Sequence, residues 1–382
     1  MKILIAGKEF VNFTDGSVTS QLNAMSRSFT LSAITRGIGD VPFRKGQRIE
    51  MFVEDGDGND HRVLNGHIEA MQISGSAGDV NYSLSGRDLI GDLIDSNLDG
   101  LSDLGSTVKY TCESVLRFLK IKTNVIDLAG TSDRPFPSGL EIVAPDPGDT
   151  GGEFLASVAL RRQSMLTSDG DGNLIITEGI GNRTKGLISN HASGYEDHVS
   201  HNNILRFDYS TDDSSRFHYY VTDCQLNVAA VGSIWGAEET ACPVPTEIGS
   251  TMAFFKDPAI RVFRRRAVAM ESTYPPSEAI MRAKWEANIS RAEGTTYSVT
   301  VPGHLDQEGN PWDANTAPQV HDEFAGIEGR MLVNSVKWSF GRDGDTTDIG
   351  MTEVGAYQAR LLATTSEVLS EGDSDAEGEI IE

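Results

Sequence analysis

Apolar residues recur at every second position in three successive runs: Ile49, Met51 and Val53, then Leu64, Gly66, Ile68 and Ala70, then Val80, Tyr82 and Leu84. A two-residue period is that of a strand with one face buried. Clusters of turn formers separate the runs, at Asp55–Asp60 and Ser74–Asp79. The last run passes through Gly86 into Asp88–Asp95, where Leu89, Leu93 and Ile94 fall at helical spacing. Ahead of these, Met1–Lys8 reads as a first strand, and Phe29, Leu31 and Ala33 alternate in another. Antiparallel strands with a short closing helix predict a small barrel over residues 1–96.

The pattern then changes. Residues 97–199 mix helix and strand. Thr111–Lys120 suits a helix with Val115, Phe118 and Leu119 on one face, and Glu153–Met165 a second with Phe154, Leu155, Val158 and Met165 grouped. Four prolines between them (Pro135, Pro137, Pro145, Pro147) predict loops. Leu166–Thr177 reads as a hairpin about a Gly-rich turn. Strands return at Leu205, Phe207 and Tyr209 and at Phe217, Tyr219 and Val221, with a turn at Asp212–Ser215. Residues 226–275 are irregular. Pro275-Pro276 launches a helix over 277–292, with Ser277 as cap and Met281, Trp285, Ile289 and Ala292 as its apolar stripe. Alternation at Tyr297–Val301, Val336–Phe340 and Thr346–Met351 predicts three closing strands.

The order and spacing of several short elements resemble the hub proteins of contractile phage baseplates of the Mu-like type. The elements are Pro42 with Gly46, the Leu64-x-Gly66-x-Ile68 strand, and the Ser85-Gly-Arg-Asp-x-x-x-Asp-Leu-x-Asp95 junction. To these add Leu166-Thr-Ser-Asp-x-x-Gly-Asn-Leu174 after a helix, and Met331-Leu-Val-x-Ser-Val336 after a Trp-containing loop. The resemblance implies a β-rich α+β fold with two small antiparallel β-barrels joined by an α+β unit. The second barrel, from 200–225 and 295–355, would be interrupted by an insertion over 226–294. Gly86, Arg87, Asp88, Asp92, Leu93 and Asp95 would form the junction that closes the first barrel. No strong sequence identity relates the two barrels, so the duplication rests on the resemblance alone.

Charge adds a constraint. The formal net charge is −24, and residues 366–382 carry seven acids and no base, leaving −17 on the body. Such a surface repels nucleic acid, which disfavours sequence-specific DNA binding and suits a conduit through which DNA slides. Residues 356–382 read as an acidic, disordered tail, too poor in apolar residues to form a core. Against this background Arg261, Arg264, Arg265 and Arg266 are the one dense basic cluster, either a solvated strand face or an interface patch. No apolar run approaches the ~20 residues that cross a bilayer. Three cysteines far apart offer no disulfide framework and fit a reducing compartment.

Candidate chemistry falls away on inspection. Asp55-Gly-Asp-Gly-Asn59 and Asp169-Gly-Asp-Gly-Asn173 look like fragments of a calcium loop, which needs Gly at its sixth position and Glu at its twelfth. Those positions hold Asp60 and Gly66 in one and Leu174 and Ile180 in the other, so both read as turns. His191, His198 and His201 lack helical ligand spacing and a nearby Cys. Nucleophile and phosphate-loop motifs are absent from the sequence. The expectation is therefore a structural protein with no cofactor, metal or catalytic residues. The resemblance implies a homotrimeric hub that adapts a hexameric tail tube to a trimeric spike. It would meet other baseplate proteins and let DNA pass. It would be built in the host cytoplasm and carried in the virion. The competing readings are a tail-associated cell-wall hydrolase and the hub of a tail-like secretion particle.

Overall fold

The computed structural model describes residues 1–36, 43–76, 79–101, 106–130, 144–179, 181, 186–191, 202–224, 251–260, 263–268, 276–342, 344–357 and 380–381. Its first part is all strand: β1 (Lys2–Ile5), β2 (Lys8–Glu9), β3 (Phe13–Gln21), β4 (Ser28–Arg36), β5 (Arg48–Glu54), β6 (Asp60–Ser76) and β7 (Asp79–Asp88). The expected alternation holds, with Ile49, Met51, Val53, Leu64, Ile68 and Leu84 all buried. Turns expected at 55–60 form as Asp55 accepts the Asp57 and Asn59 amides at 2.9 and 2.8 Å. Asp169 caps its own turn in the same way, taking the Asp171 and Asn173 amides.

A short helix α1 (Gly91–Asp95) leads into α2 (Val108–Phe118), β8 (Val125–Asp127), α3 (Gly151–Leu160), β9 (Met165–Ser168) and β10 (Leu174–Thr177). Thr107 caps α2 by accepting the Tyr110 amide. Thr150 and Glu153 form a reciprocal capping box on α3. Phe154, Leu155 and Val158 face inward as expected, but α3 stops at Leu160 and Met165 lies in β9. Gln163 takes a left-handed φ of 49° where the chain reverses, which ends the helix before its apolar period does. Cys112, on α2, is buried, and burial pushes its thiol up to about 12.

The remaining elements are β11 (Leu187–Asn190), β12 (Arg206–Thr211), β13 (Tyr219–Cys224), β14 (Thr251–Lys256), β15 (Arg265–Val268), α4 (Pro276–Gly294), β16 (Thr295–Pro302), β17 (Gln319–Asp322), β18 (Ile327–Gly341), β19 (Thr346–Glu353) and β20 (Ile380–Ile381). One large, mostly antiparallel sheet runs β12-β16-β19-β18-β3-β4-β7-β6-β5-β1-β2, with β17 on β18 and β11 parallel on β17. Only β12 of the 200–225 segment joins it. β13 instead pairs with β14 and β15 in a separate sheet packed on α4. Its deepest residues are Tyr220 and Thr222, the opposite parity from the expected Tyr219 and Val221. The helix expected over 277–292 is α4, and its sheet-facing side is the alanine row Ala283 and Ala287. Trp285 of the expected stripe is buried and donates its indole N–H to the Tyr357 carbonyl at 2.8 Å. Of the acidic tail, only Ala356, Tyr357 and the β20 pair lie within the described residues.

The large sheet contains one strand order twice. β3-β4-β7-β6-β5 recurs as β12-β16-β19-β18-β17. The match extends to register. β6 bulges against β7 between Ile68 and Ala70, and β18 bulges against β19 between Val333 and Ser335. Aligned on the bulge, Ala70 opposite Ser85 matches Ser335 opposite Gly350, and Ile73 opposite Tyr82 matches Trp338 opposite Thr347. The two sets are not separate bodies. β3 pairs with β18 over seven residues, and one apolar core, with Val18, Leu31, Leu84, Val336, Trp338 and Ile349, runs through both.

Candidate assembly interface

The expected junction residues lie where the first strand set hands over to the α+β unit. Ile90 and Leu93 are buried in the core of that unit with Phe154 and Leu155, not in the core of the sheet. Gly151 and Gly152 of α3 let α1 approach: a Cβ on Gly151 would stand 2.4 Å from the Leu93 carbonyl oxygen. Arg87 donates to Glu69 at 3.0 Å and to Asp95 at 3.1 Å. Those bonds, Asp95 first, hold its guanidinium above its ordinary range, and Arg87 in turn holds the Asp95 carboxyl below its own. Asp92 sits in the first turn of α1, where the helix dipole favours an acid.

Asp88 is the buried member of this group. One carboxylate oxygen accepts the Ser26 hydroxyl at 2.8 Å and the Ile90 amide at 3.0 Å. The other accepts the Arg27 amide at 2.9 Å and the Ser168 hydroxyl. Burial pushes the Asp88 carboxyl above its ordinary value, against the Ser168, Arg27 and Ser26 donors and the Arg27 charge. Arg27, which the sequence does not single out, is also buried. Its guanidinium donates to the Ser168 and Val63 carbonyls and to Asp313, and lies 5.5 Å from the Trp338 ring. Segments 26–27, 63, 88, 168, 313 and 338 thus meet at one polar knot.

The basic cluster is largely engaged within its own chain. Arg261 lies outside the described residues. Arg264 donates to the Asp213 and Ser214 carbonyls and stands 5.2 Å from the Phe217 ring. Arg266 faces the same ring at 5.8 Å and reaches Glu286 at 3.7 Å and Ser290 at 3.4 Å. Arg265 is exposed on β15 and Phe263 beside it is 75% exposed. His191 contacts Glu323 at 3.1 Å, while His198 and His201 lie outside the described residues.

Two strand edges stand open among the described residues. β12 pairs only with β16, and all six of its residues are exposed. Phe207 and Tyr209, whose alternation predicts a buried face, are therefore on the surface. β6 is paired with β5 up to His67 and bonded to Gly46 and Gln47 at Ile68, and beyond that, among the described residues, it pairs only with β7. On that far half Ile73 is 47% exposed.

Several carboxylates are held below their ordinary values: Asp55 by the Asn59 amide and His61, Glu153 by Thr150, and Asp212 by Ser214. Burial raises Asp322, but the Tyr297 hydroxyl and neighbouring amides outweigh it and the net shift is downward. Each such group binds fewer protons folded than unfolded, so its stabilisation is lost as the pH falls through its folded value. Asp88 has the opposite sign and offsets part of this. Burial also holds the His304 ring below its ordinary value, so thermal melts followed by circular dichroism are expected to slip gently below about pH 6.5 and to fall more steeply below about pH 4.

The fold is that of a phage tail protein of the Mu-like type. Over 93% of this chain and 98% of the other, it superposes on the 43 kDa tail protein of prophage MuSo2 from Shewanella oneidensis, with a TM-score of 0.74 and 23% identity. In sequence the chain matches baseplate hub protein gp44 of Escherichia phage Mu, 21% identical over 332 residues, which are 86% of this chain and 81% of gp44. A more distant likeness is to the E. coli c3393 protein, a component of the type VI secretion system, with a TM-score of 0.50 and 10% identity over 92% of this chain. No protein-family model matches the chain.

Proposed function

We propose that the protein is the central hub of a contractile-tail baseplate and that it acts as a homotrimer, with no chemistry of its own. The observation that carries this reading is the strand set present twice in one chain with a common register. Three chains would then present six similar units, which meets a hexameric tail tube above, while true threefold symmetry below meets a trimeric spike. Each unit would curl into a small barrel, and the α+β unit and the β13–β15 sheet with α4 would decorate the ring. The likeness to gp44 over most of both chains supports the assignment. The excess of acid supports a lumen along which DNA passes without sticking. In this reading the protein is assembled in the host cytoplasm and resides in the virion. The likeness to a secretion-system component keeps a tail-like secretion hub as the second reading, with the same ring logic.

Light scattering on the purified protein is expected to give about three times the 41.3 kDa of one chain, stable on dilution. Negative-stain images should show rings with a central hole. A monomer at every concentration would overturn the trimeric hub.

A further inference from the structure

The repeated strand set identifies which surfaces join one copy to the next. Within the chain, the two sets are stitched by β3 pairing antiparallel with the far half of β18. In that seam Val18 lies opposite Trp338, Ser17 opposite Ser339, and Gly16 opposite Phe340. The counterpart of β3 in the second set is β12: Val18 opposite Phe29 on β4 matches Tyr209 opposite Tyr297 on β16. The counterpart of the far half of β18 is the far half of β6, as their common bulge establishes. These two counterparts are the two open edges described above.

We infer that β12 of one copy pairs antiparallel with residues 71–76 of β6 in the next copy, with Tyr209 opposite Ile73. The inference rests on the trimeric reading above and names its contact surface. Carrying over the internal register sets Asp208 opposite Ser74 and Phe207 opposite Gly75. Side-chain sizes fit this register. Inside the chain a large residue on β18, Phe340, covers a glycine on β3, and a Cβ on Gly16 would stand 2.5 Å from that ring. Between copies the order is swapped, with the large residue Phe207 on β12 and the glycine, Gly75, on β6. Burial fits as well. Val336, Trp338 and Phe340 are buried in the internal seam, whereas Met71 and Ile73, at the positions of the first two, are half-buried and exposed. An exposed strand edge with apolar side chains is a template for a further strand. Because the two edges differ, the contact is head-to-tail, and such contacts make a ring only if the rotation closes.

The test is the double variant Asp208→Cys with Ser74→Cys, oxidised mildly in the full chain. Directly opposed residues on paired strands have Cα atoms about 4.5–5.5 Å apart, within disulfide reach. Most of the protein should then run as a covalent trimer without reductant. The single variants, and the pair Asp208→Cys with Ile73→Cys, whose side chains would point to opposite faces, should stay uncrosslinked. Light scattering on the same samples separates the two ideas. A trimer in which the 208/74 pair does not bond would overturn the strand docking and leave the hub reading standing. A bonded ladder that runs past three chains would support the docking and overturn the closed trimer. A monomer without bonds would overturn both.

Discussion

Asp88→Ala is expected to cost about 3–5 kcal/mol of folding stability, the range for removing one member of a buried charged network. Four donors converge on this carboxylate, from Ser26, Arg27, Ile90 and Ser168. An ionised carboxylate is acceptor-only and can take all four. Alanine leaves the Ile90 amide and the Ser168 hydroxyl without their acceptor and the Ser26 hydroxyl and Arg27 amide with only longer contacts, to the Arg27 carbonyl at 3.1 Å and the Ser168 hydroxyl at 3.2 Å, and each buried donor left stranded costs about 1–3 kcal/mol. Asp88→Asn is expected to fall between, since its amide NH2 must face two donors where an oxygen stood. Ser26→Ala removes one donor and leaves the others satisfied, so its loss should be about 1 kcal/mol. Urea unfolding measures all three. The knot also ties segments that are distant in sequence, so Asp88→Ala should broaden the transition as the α+β unit uncouples from the sheet. An unchanged midpoint in Asp88→Ala would show that the network contributes nothing.

Much of this fold is readable from local pattern. Ile49, Met51 and Val53 alternate in the sequence and are buried in the sheet, because a strand with one wet face must place its apolar residues on a two-residue period. The same rule misleads at β12. Phe207 and Tyr209 alternate like core residues, yet periodicity reports which face a residue shares and carries no information on whether the edge or the face is covered within one chain. The duplication escapes sequence comparison for a related reason. What the two sets share is backbone register, including a bulge at Glu69 and at Asn334. The side chains at matched positions differ, Gly66 against Met331 and Gly86 against Met351. The first set needs its glycines: a Cβ on Gly66 would stand 2.0 Å from the Arg87 carbonyl oxygen, and one on Gly86 2.0 Å from that of His67. The polar knot was half visible. Asp88 lies within a junction that the sequence marks, but its partners Arg27 and Ser168, and Asp313 that Arg27 holds, sit in separate segments and only the fold brings them together.

The matched pair Trp338 and Ile73 gives the second large effect, and a contrast within one molecule. Trp338 is 0% exposed, lies opposite Val18 in the internal seam and carries the Arg27 guanidinium over its ring. Trp338→Ala is expected to cost about 3–5 kcal/mol, as large-to-small changes at a buried aromatic do. Part of that loss is the cavity, and part is the face that Arg27 leans on, so Arg27→Met in the Trp338→Ala background should cost less than in the native chain. Ile73 occupies the same position in the first strand set but is exposed in the single chain. Ile73→Ala should therefore change the unfolding free energy of an isolated subunit by less than about 0.5 kcal/mol. Its effect should fall on association. If Ile73 packs beside Tyr209 of the neighbouring copy, each seam loses roughly 1–2 kcal/mol of buried apolar contact. That is about a tenfold weakening per seam. Unfolding in urea and mass on dilution, measured on both variants, should thus move in opposite orders: Trp338→Ala first in stability, Ile73→Ala first in assembly. Equal losses of stability in the two variants would mean that Ile73 already has its partner within the chain.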